Sequence, residues 1–262
     1  MWGARPREAR REHMSRAILI TGAGARVGSH FAKGLAGDGW AVAVHHNRSR
    51  QGADALVSEI KAAGGRAATV KANLAVPQDV ETLIDRAADA LGTPLTALIN
   101  NASTFAPDSA DSFSRATYDY HMEVNLRAPL LLTQKLAEQL PTAAMGCVIN
   151  IIDQRVLKPN PTFFTYSIAK ASLYWATKTQ AQSYAPRLRI NGIGPGPSLP
   201  NIHQADGEFD KEADATLLQR PSSPDELLSG LRYLLGAHSV TGQMLAIDSG
   251  QHLTWQTPDL TL

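Results

Sequence analysis

The sequence lacks several features that would each indicate a particular class of protein. Its 262 residues include one cysteine, Cys147, so no disulfide can form within the chain, which fits a reducing compartment. No apolar run approaches the roughly 20 residues of a membrane-spanning helix. The 25 basic and 24 acidic residues nearly balance, which gives no indication of a nucleic-acid or membrane partner. We therefore expect a cytoplasmic protein that acts on a small molecule.

What the sequence does contain is an alternation of short β-rich runs with longer helical stretches. Seven strands are predicted, at about 17–21, 40–46, 67–71, 95–100, 146–152, 188–193 and 242–247. Helices are predicted at about 27–37, 50–63, 77–91, 112–125, 128–139, 164–184 and 224–235. This alternation is typical of right-handed βαβ units. The expected α/β architecture is a single-domain Rossmann fold with a doubly wound, seven-stranded parallel sheet.

The predicted Rossmann-type domain covers residues 15–262. Residues 1–14 are rich in arginine and lack the apolar segment of a secretory signal, so we expect a disordered basic extension there. Two alternatives are a start at Met14 and a mitochondrial presequence, although Glu8 and Glu12 argue against the second. The irregular stretch 195–220 is too long for an ordinary connection, which indicates a lid or a binding loop.

The turn after the first predicted strand has the composition of a phosphate-binding loop. Gly22 and Gly24 would allow a phosphate to approach the backbone, and Gly28 would allow the following helix to pack tightly. The N-terminus of that helix attracts negative charge. The turn therefore predicts a nucleotide cofactor.

The end of the second predicted strand indicates which cofactor is bound. NAD-dependent enzymes usually carry an Asp or Glu about 20 residues after the glycines, where it binds the ribose hydroxyls. Here the sequence is His45-His46-Asn47-Arg48-Ser49, without an acid. Arg48 and Ser49 could bind a 2′-phosphate instead, and Arg26 adds a second cation, so NADPH is the predicted cofactor. No cysteine or acid neighbours the two histidines in sequence, and no metal site is predicted.

Tyr166 and Lys170 are four residues apart and therefore lie on one face of a predicted helix. A phenol has a pKa of about 10, and the Lys170 ammonium is expected to lower the pKa of Tyr166 by favouring the phenolate. Such a pair can protonate a substrate that accepts a hydride. Together with the nucleotide-binding turn, it predicts hydride transfer from a nicotinamide.

These motifs resemble those of the short-chain dehydrogenase/reductase family over about residues 17–252. The matching segments are Thr21-Gly22…Gly28, Asn100-Asn101-Ala102-Ser103, Asn125, Tyr166-Ser167-Ile168-Ala169-Lys170 and Pro195-Gly196. The resemblance implies that Asn125 joins the catalytic residues. The cofactor-binding residues that it implies are Gly22, Arg26, Val27, His46, Asn47, Arg48, Ser49, Asn73, Leu74, Asn101, Ala102, Lys170, Pro195, Gly196 and Ser198.

Three positions depart from the usual family pattern. Arg26 and Ser103 stand where the family usually has glycine, and Asp153 stands where it has the catalytic serine. In all three the chain resembles the pteridine reductases and the related dihydrofolate and dihydromonapterin reductases. It is also similar to them in the segments His45–Ser49, Asn101–Phe105 and Gly194–Ser198. The implied catalytic residues are Asp153, Tyr166, Lys170 and Asn125, and the implied substrate-binding residues are Arg26, Ser103, Phe105, Asp153 and Tyr166.

Asp153 favours a substrate with N–H groups, because an ionised carboxylate would repel the developing oxyanion of a ketone. A pterin offers an amino group and ring nitrogens to Asp153, and Phe105 could stack on its ring opposite the nicotinamide. The expected reaction is hydride transfer from NADPH to a C=N bond of a pterin, dihydropterin or dihydrofolate, with protonation through Tyr166 and Asp153. The alternatives are a reductase of ketones, sugars or 3-oxoacyl groups, and a non-catalytic NADPH-binding protein.

The resemblance also implies an assembly. Family members are commonly homotetramers packed through the helices that correspond to the regions 112–139 and 164–184 here. The segment 253–262, with Trp255 as an anchor, could cross a subunit boundary. We therefore expect a homotetramer.

Overall fold

The computed structural model describes residues 16–200 and 206–255, so the extension predicted at 1–14 lies outside the described residues. Seven strands in these ranges form one parallel sheet in the order β3-β2-β1-β4-β5-β6-β7. The predicted doubly wound α/β fold is thus confirmed. The strands are β1 (Ala17–Ile20), β2 (Ala41–His46), β3 (Arg66–Lys71), β4 (Ala97–Asn100), β5 (Gly146–Ile151), β6 (Leu188–Pro195) and β7 (Met244–Ile247).

Helices cover both faces of this sheet, which explains why its inner strands are continuous apolar runs. Ile18 and Ile20 of β1 face the layer that contains Phe31, while Leu19 faces the opposite layer with Leu132. The helices are α1 (Arg26–Gly37), α2 (Arg50–Ala62), α3 (Pro77–Glu81), α4 (Leu83–Leu91), α5 (Arg115–Met122), α6 (Ala128–Gln139), α7 (Phe164–Tyr184), α8 (Glu208–Asp214) and α9 (Pro224–Gly236).

The helical segments differ from the sequence prediction in three places. The helix predicted at 77–91 is divided into α3 and α4 at Thr82. The helices predicted at 112–125 and 128–139 are joined by a π-helical turn, Glu123–Arg127. Pro129 has no amide hydrogen for the regular helical bond to residue 125, so a widened turn fits this position. The stretch predicted to be irregular contains α8, which follows Gly207 in the left-handed region.

Two class-defining features are missing from the described ranges, 16–200 and 206–255. No helix there is long and apolar enough to cross a membrane. No group of three or more His, Cys, Asp or Glu residues there could hold a metal ion. Cys147 is buried in β5, and burial raises the pKa of its thiol to about 11, so this sulfur is a core atom.

Candidate active site

The glycine turn after β1 packs directly against the end of β4. The Thr21 hydroxyl oxygen accepts hydrogen bonds from the amides of Asn101 and Ala102, each at 2.9 Å. Gly22 has a φ of +66°, and a Cβ added there would lie 2.9 Å from the Cα of Ala102. A Cβ on Gly28 would lie 2.4 Å from the carbonyl oxygen of Gly22. Both glycines are therefore required by close packing of the turn.

His45 fixes the glycine turn, a role that the sequence did not reveal. The Gly22 amide donates to His45 Nδ1 at 2.9 Å, and His45 Nε2 lies 3.2 Å from the carbonyl oxygen of Ala72. With Nδ1 as acceptor, the ring proton resides on Nε2 and is donated to Ala72. Burial lowers the pKa of His45 to about 4, which keeps the ring neutral. The sequence signal for this role is the presence of histidine at the carboxyl end of an otherwise apolar strand.

A cavity of about 430 Å³ lies at the carboxyl ends of β1, β2 and β4. His46 is one of its walls, and His46 Nδ1 is buried without a hydrogen-bond partner among the described residues. A buried polar atom of this kind is normally satisfied by a ligand or by water. Predicted cofactor residues that line this cavity are Gly22, Arg26, Val27, His46, Asn47, Arg48, Ser49, Asn73, Leu74, Asn101 and Ala102.

Asn73 has a structural role in the wall of this cavity. Its side-chain oxygen accepts from the Ala75 amide at 3.1 Å and from Asn47 Nδ2 at 3.4 Å. The backbone amide of Asn73 donates to Asp79 Oδ2 at 2.7 Å. These bonds shape the turn after β3, so the predicted contact between Asn73 and the adenine remains a prediction.

A second cavity, of about 250 Å³, adjoins the first and shares Arg26, Val27 and Asn101 with it. It contains the remaining predicted cofactor residues of the β6 end, Pro195, Gly196 and Ser198. It also contains Phe105 and Asp153 from the predicted substrate site. The two cavities form one cleft along the carboxyl edge of the sheet, which is where open α/β sheets bind ligands.

The predicted catalytic residues Asp153, Tyr166 and Lys170 come together beside the second cavity, which Asp153 lines while Tyr166 and Lys170 lie buried behind it. The Tyr166 hydroxyl donates to Asp153 Oδ2 at 2.7 Å, and Lys170 Nζ donates to the carbonyl oxygen of Ile151 at 2.7 Å. Asp153 Oδ1 accepts from the amide of Arg155 at 2.8 Å, which fixes the carboxylate after β5. Three residues that are 13 and 4 positions apart in the sequence therefore form a single cluster.

The predicted effect of Lys170 on Tyr166 is wrong for this structure. The pKa of Tyr166 is raised well above its ordinary value, first by burial and then by the charge and hydrogen bond of Asp153. Lys170 bonds a backbone carbonyl instead, with Nζ 5.7 Å from the centre of the Tyr166 ring. Burial lowers the pKa of Lys170 to about 8 and raises that of Asp153. Burial, which the sequence cannot measure, therefore outweighs the nearby ammonium.

Asn125 lies in the π-helical turn and holds the segment after β4. Its Oδ1 accepts from the Thr104 amide at 2.8 Å and from Ser103 Oγ at 3.1 Å, while its Nδ2 donates to the Thr104 carbonyl at 2.9 Å. These bonds place Ser103 and Phe105 beside the cleft. In this structure Asn125 is a positioning residue, and its predicted part in catalysis remains a prediction.

The aromatic part of the predicted substrate site is a pair of rings. Phe105 stacks on Phe163 with centroids 3.8 Å apart and 9° between the planes, and it meets Tyr166 nearly edge-on at 4.7 Å. One face of Phe105 is therefore covered by Phe163, a contact that the sequence did not predict. The signal would have been the aromatic residue three positions before Tyr166.

Arg26 connects the glycine turn to the segment after β6. Its guanidinium donates to the carbonyl oxygens of Leu199 at 3.3 Å and Pro200 at 2.8 Å. Arg26 borders both cavities, and its double role in cofactor and substrate binding remains a prediction. Ser198, in the same segment, donates from Oγ to the Gly196 carbonyl at 3.2 Å.

A buried network behind Tyr166 was also not predicted. His121 Nδ1 and Thr165 Oγ1 are 2.7 Å apart, and the Ala106 amide donates to His121 Nε2 at 3.2 Å. Asp108 accepts from the Thr165 amide at 3.2 Å and from the Thr165 hydroxyl. The network ties the Phe105 segment to the first turn of α7. Its members are far apart in sequence, so no motif identified them.

Residues 16–210 match the family model described as short chain dehydrogenase. The chain belongs to this family, and the predicted family membership and oxidoreductase class are confirmed.

The named relatives within the family include reductases of two different substrate classes. The crystal structure of FolM alternative dihydrofolate reductase 1 from Brucella canis, complexed with NADP, is 40% identical with a TM-score of 0.91, covering 95% of this chain and 98% of that one. The predicted resemblance to the pterin and folate reductases is thereby confirmed. An uncharacterised oxidoreductase of Methylorubrum extorquens is 31% identical, covering 88% of this chain and 96% of its own length. A 3-oxoacyl-[acyl-carrier-protein] reductase of Synechocystis sp. is 30% identical, covering 88% and 95%.

Proposed function

We propose that this protein is an NADPH-dependent reductase of C=N bonds in pterins, dihydropterins or dihydrofolate. The observation that carries the proposal is the 2.7 Å hydrogen bond between Tyr166 and Asp153, which lines the cleft. A carboxyl and a phenol together can bind and protonate a ring nitrogen, whereas an ionised carboxylate repels the oxyanion formed from a ketone. The similarity to a structure named as an alternative dihydrofolate reductase supports the same substrate class.

The residues of the first cavity fit a dinucleotide with a 2′-phosphate. When bound there, NADPH supplies the hydride. The close-packed glycine turn exposes the N-terminus of α1 to a phosphate, and Arg48 with Ser49 offers a cation and a hydroxyl to a second one. No acid lies in the segment His45–Ser49 to bind the free ribose hydroxyls of NADH.

Asp153 and Tyr166 supply the proton of the proposed reaction. As the carbon of the C=N bond gains the hydride, its nitrogen gains a proton from the Asp153–Tyr166 pair, which is then reprotonated from solvent. Burial raises the pKa of both groups, so the pair retains its proton more readily than exposed side chains would. Lys170 is held on the Ile151 carbonyl, and its positive charge stabilises the Asp153 carboxylate, in opposition to burial, after the pair has lost the proton.

A carbonyl reductase is the second candidate. The 3-oxoacyl-[acyl-carrier-protein] reductase of Synechocystis sp. favours it, because that relative covers most of this chain. A protonated Tyr166 would also suit a ketone oxygen, and the high pKa of Tyr166 is compatible with that chemistry. Asp153 is the residue that separates the two candidates.

The test is NADPH oxidation by the purified protein with dihydrobiopterin, dihydrofolate, ketones and acyl thioesters, each repeated with NADH. We expect turnover of a pteridine, with NADPH preferred. An Asp153→Ser variant should lose most pteridine turnover while gaining, or retaining, any activity on ketones. Turnover of ketones alone by the unaltered protein would replace the proposal with the carbonyl-reductase candidate.

A further inference from the structure

Arg155 is a charged side chain of the second cavity to which the proposed reaction assigns no contact with the substrate. Its amide is fixed by Asp153 Oδ1 at 2.8 Å, so its side chain starts beside the catalytic pair. Its Nη1 atom is buried and lacks a hydrogen-bond partner within 16–200 and 206–255. Over the same ranges, no salt bridge includes Arg155. Arg155 as a whole is half-buried, but a buried donor atom without an acceptor is costly unless a ligand completes it.

The aromatic pair holds the Arg155 guanidinium in position. Its central carbon lies 5.1 Å from the centre of the Phe163 ring and 5.5 Å from that of Phe105. Cation–π contact orients a guanidinium without using its N–H groups, which stay available to an acceptor. Phe105 also touches Tyr166, so the cation is placed next to the predicted position of the substrate ring.

The other charged groups of the cavity are already engaged. Arg26 donates to the carbonyls of Leu199 and Pro200, and Asp153 accepts from Tyr166. Glu212 accepts a hydrogen bond from Gln251 Nε2 at 3.2 Å. Arg155 is therefore the group of these four whose buried donor atom, Nη1, has no acceptor among the described residues, and the planar fork of a guanidinium matches a carboxylate.

We infer that Arg155 binds a carboxylate on the side chain of the substrate. This inference rests on the proposed function, because it assumes that the pteridine ring lies at Asp153 and Tyr166. The substrate class that follows is a dihydropteridine with an acidic tail, such as dihydrofolate. A dihydropteridine with a neutral, hydroxylated side chain gains nothing from Arg155.

The first test compares two substrates that share the ring but differ in charge. In an Arg155→Met variant, KM for dihydrofolate should rise about tenfold or more, the loss expected for a charge-assisted hydrogen bond. The KM for dihydrobiopterin should stay within about twofold, a change below 1 kcal/mol. The comparison uses KM and not kcat, because the charge of Arg155 opposes the burial that raises the pKa of Asp153 and Tyr166. An Arg155→Lys variant should lie between the two, since it keeps the charge and loses the fork.

Lys158→Met is the matched control. Lys158 is exposed, lies three residues further along, and donates to the Thr254 carbonyl instead of lining the cavity. Its removal deletes the same charge from the same loop, so it should leave the ratio of dihydrofolate to dihydrobiopterin efficiency unchanged. Equal losses for both substrates in Arg155→Met, or an equal effect of Lys158→Met, would overturn the carboxylate site.

A binding measurement separates this inference from the proposed reaction. Calorimetric titration of the NADP⁺-loaded protein with folate and with biopterin needs no turnover. Weaker binding of folate alone in Arg155→Met supports the carboxylate site, even if the unaltered protein reduces no pteridine and the proposed function fails. Unchanged folate binding, or no folate binding by the unaltered protein, overturns the site, while pteridine turnover by that protein would still support the proposed function.

Discussion

Asp153 and Tyr166 illustrate what a residue pattern can and cannot predict. Spacing identified Tyr166 as a site residue and the family resemblance implied Asp153, and the structure joins them at 2.7 Å. The pKa of Tyr166 was predicted in the wrong direction, because the sequence shows the neighbouring Lys170 but not the loss of water around the phenol. The contacts of Arg155 with Phe105 and of His45 with Gly22 escaped prediction for a related reason, since these partners are distant in sequence.

Tyr166→Phe removes the proposed proton donor and keeps the ring that packs on Phe105. We expect kcat to fall by about 100-fold or more, the usual contribution of a general acid. The affinity for NADPH, measured by fluorescence titration, should change little because the substitution preserves the packing. Full activity in this variant would remove Tyr166 from the mechanism.

His45 should make stability depend on pH in the mildly acidic range. Its pKa is about 4 in the fold and 6.5 for the free side chain, so the unfolded chain takes up a proton first as the pH falls. Stability from the neutral ring is thus fully present above pH 6.5 and is lost between about pH 6.5 and 4, by about 3 kcal/mol in total.

The measurement is urea unfolding between pH 7 and 4 for the unaltered protein and for His45→Gln. Glutamine can still offer an acceptor to the Gly22 amide but does not titrate. We expect the variant to lose stability less steeply over this range. Parallel curves would show that His45 does not retain its neutral form on folding.

At the scale of elements, the glycine turn and α1 were predicted nearly to the residue. The turn after β1 needs small residues, and the helix that follows needs an apolar stripe, and both requirements are visible in sequence. The π-helical turn at Glu123–Arg127 and helix α8 were not visible. The first depends on how the chain around Pro129 packs, and the second is a short polar helix whose stability comes from its surroundings.

Two glycines of α1 provide a matched test of the turn. A Cβ on Gly28 would clash with the Gly22 carbonyl at 2.4 Å, whereas a Cβ on Gly37 would meet no atom within 4 Å. Gly28→Ala should therefore weaken NADPH binding and cost about 1–3 kcal/mol of stability. Gly37→Ala should preserve binding and stabilise the protein by up to about 1 kcal/mol. Similar effects of both substitutions on NADPH binding would contradict the packing argument.

At the scale of the whole molecule, the order of the strands places the glycine turn and the predicted catalytic residues at the same edge. β1, β4, β5 and β6 are neighbours in the sheet, although their sequence positions extend from residue 17 to 195. Parallel pairing brings their carboxyl ends together, and the cleft follows from that topology. The homotetramer implied by the family resemblance remains a prediction at this scale.

Trp175 offers a test of that assembly. It lies on α7 and is 68% exposed. Such a large apolar side chain is seldom left exposed on a surface that contacts no partner. If α7 packs against a second copy, Trp175→Glu should convert tetramers to smaller species, measured by light scattering. Met145→Glu is the control, because Met145 is 61% exposed and lies outside the helices. A monomeric unaltered protein would exclude the predicted tetramer.

The sequence by itself determined the fold class, and it predicted the nucleotide-binding turn and the pair of Tyr166 and Lys170. These depend on periodicity, on small residues and on fixed local spacing, which are properties of the chain written in one dimension. Only the tertiary structure decided the protonation behaviour of Tyr166 and the availability of Arg155. Both depend on burial and on which distant groups become neighbours, because desolvation and unsatisfied donors exist only once the chain is packed.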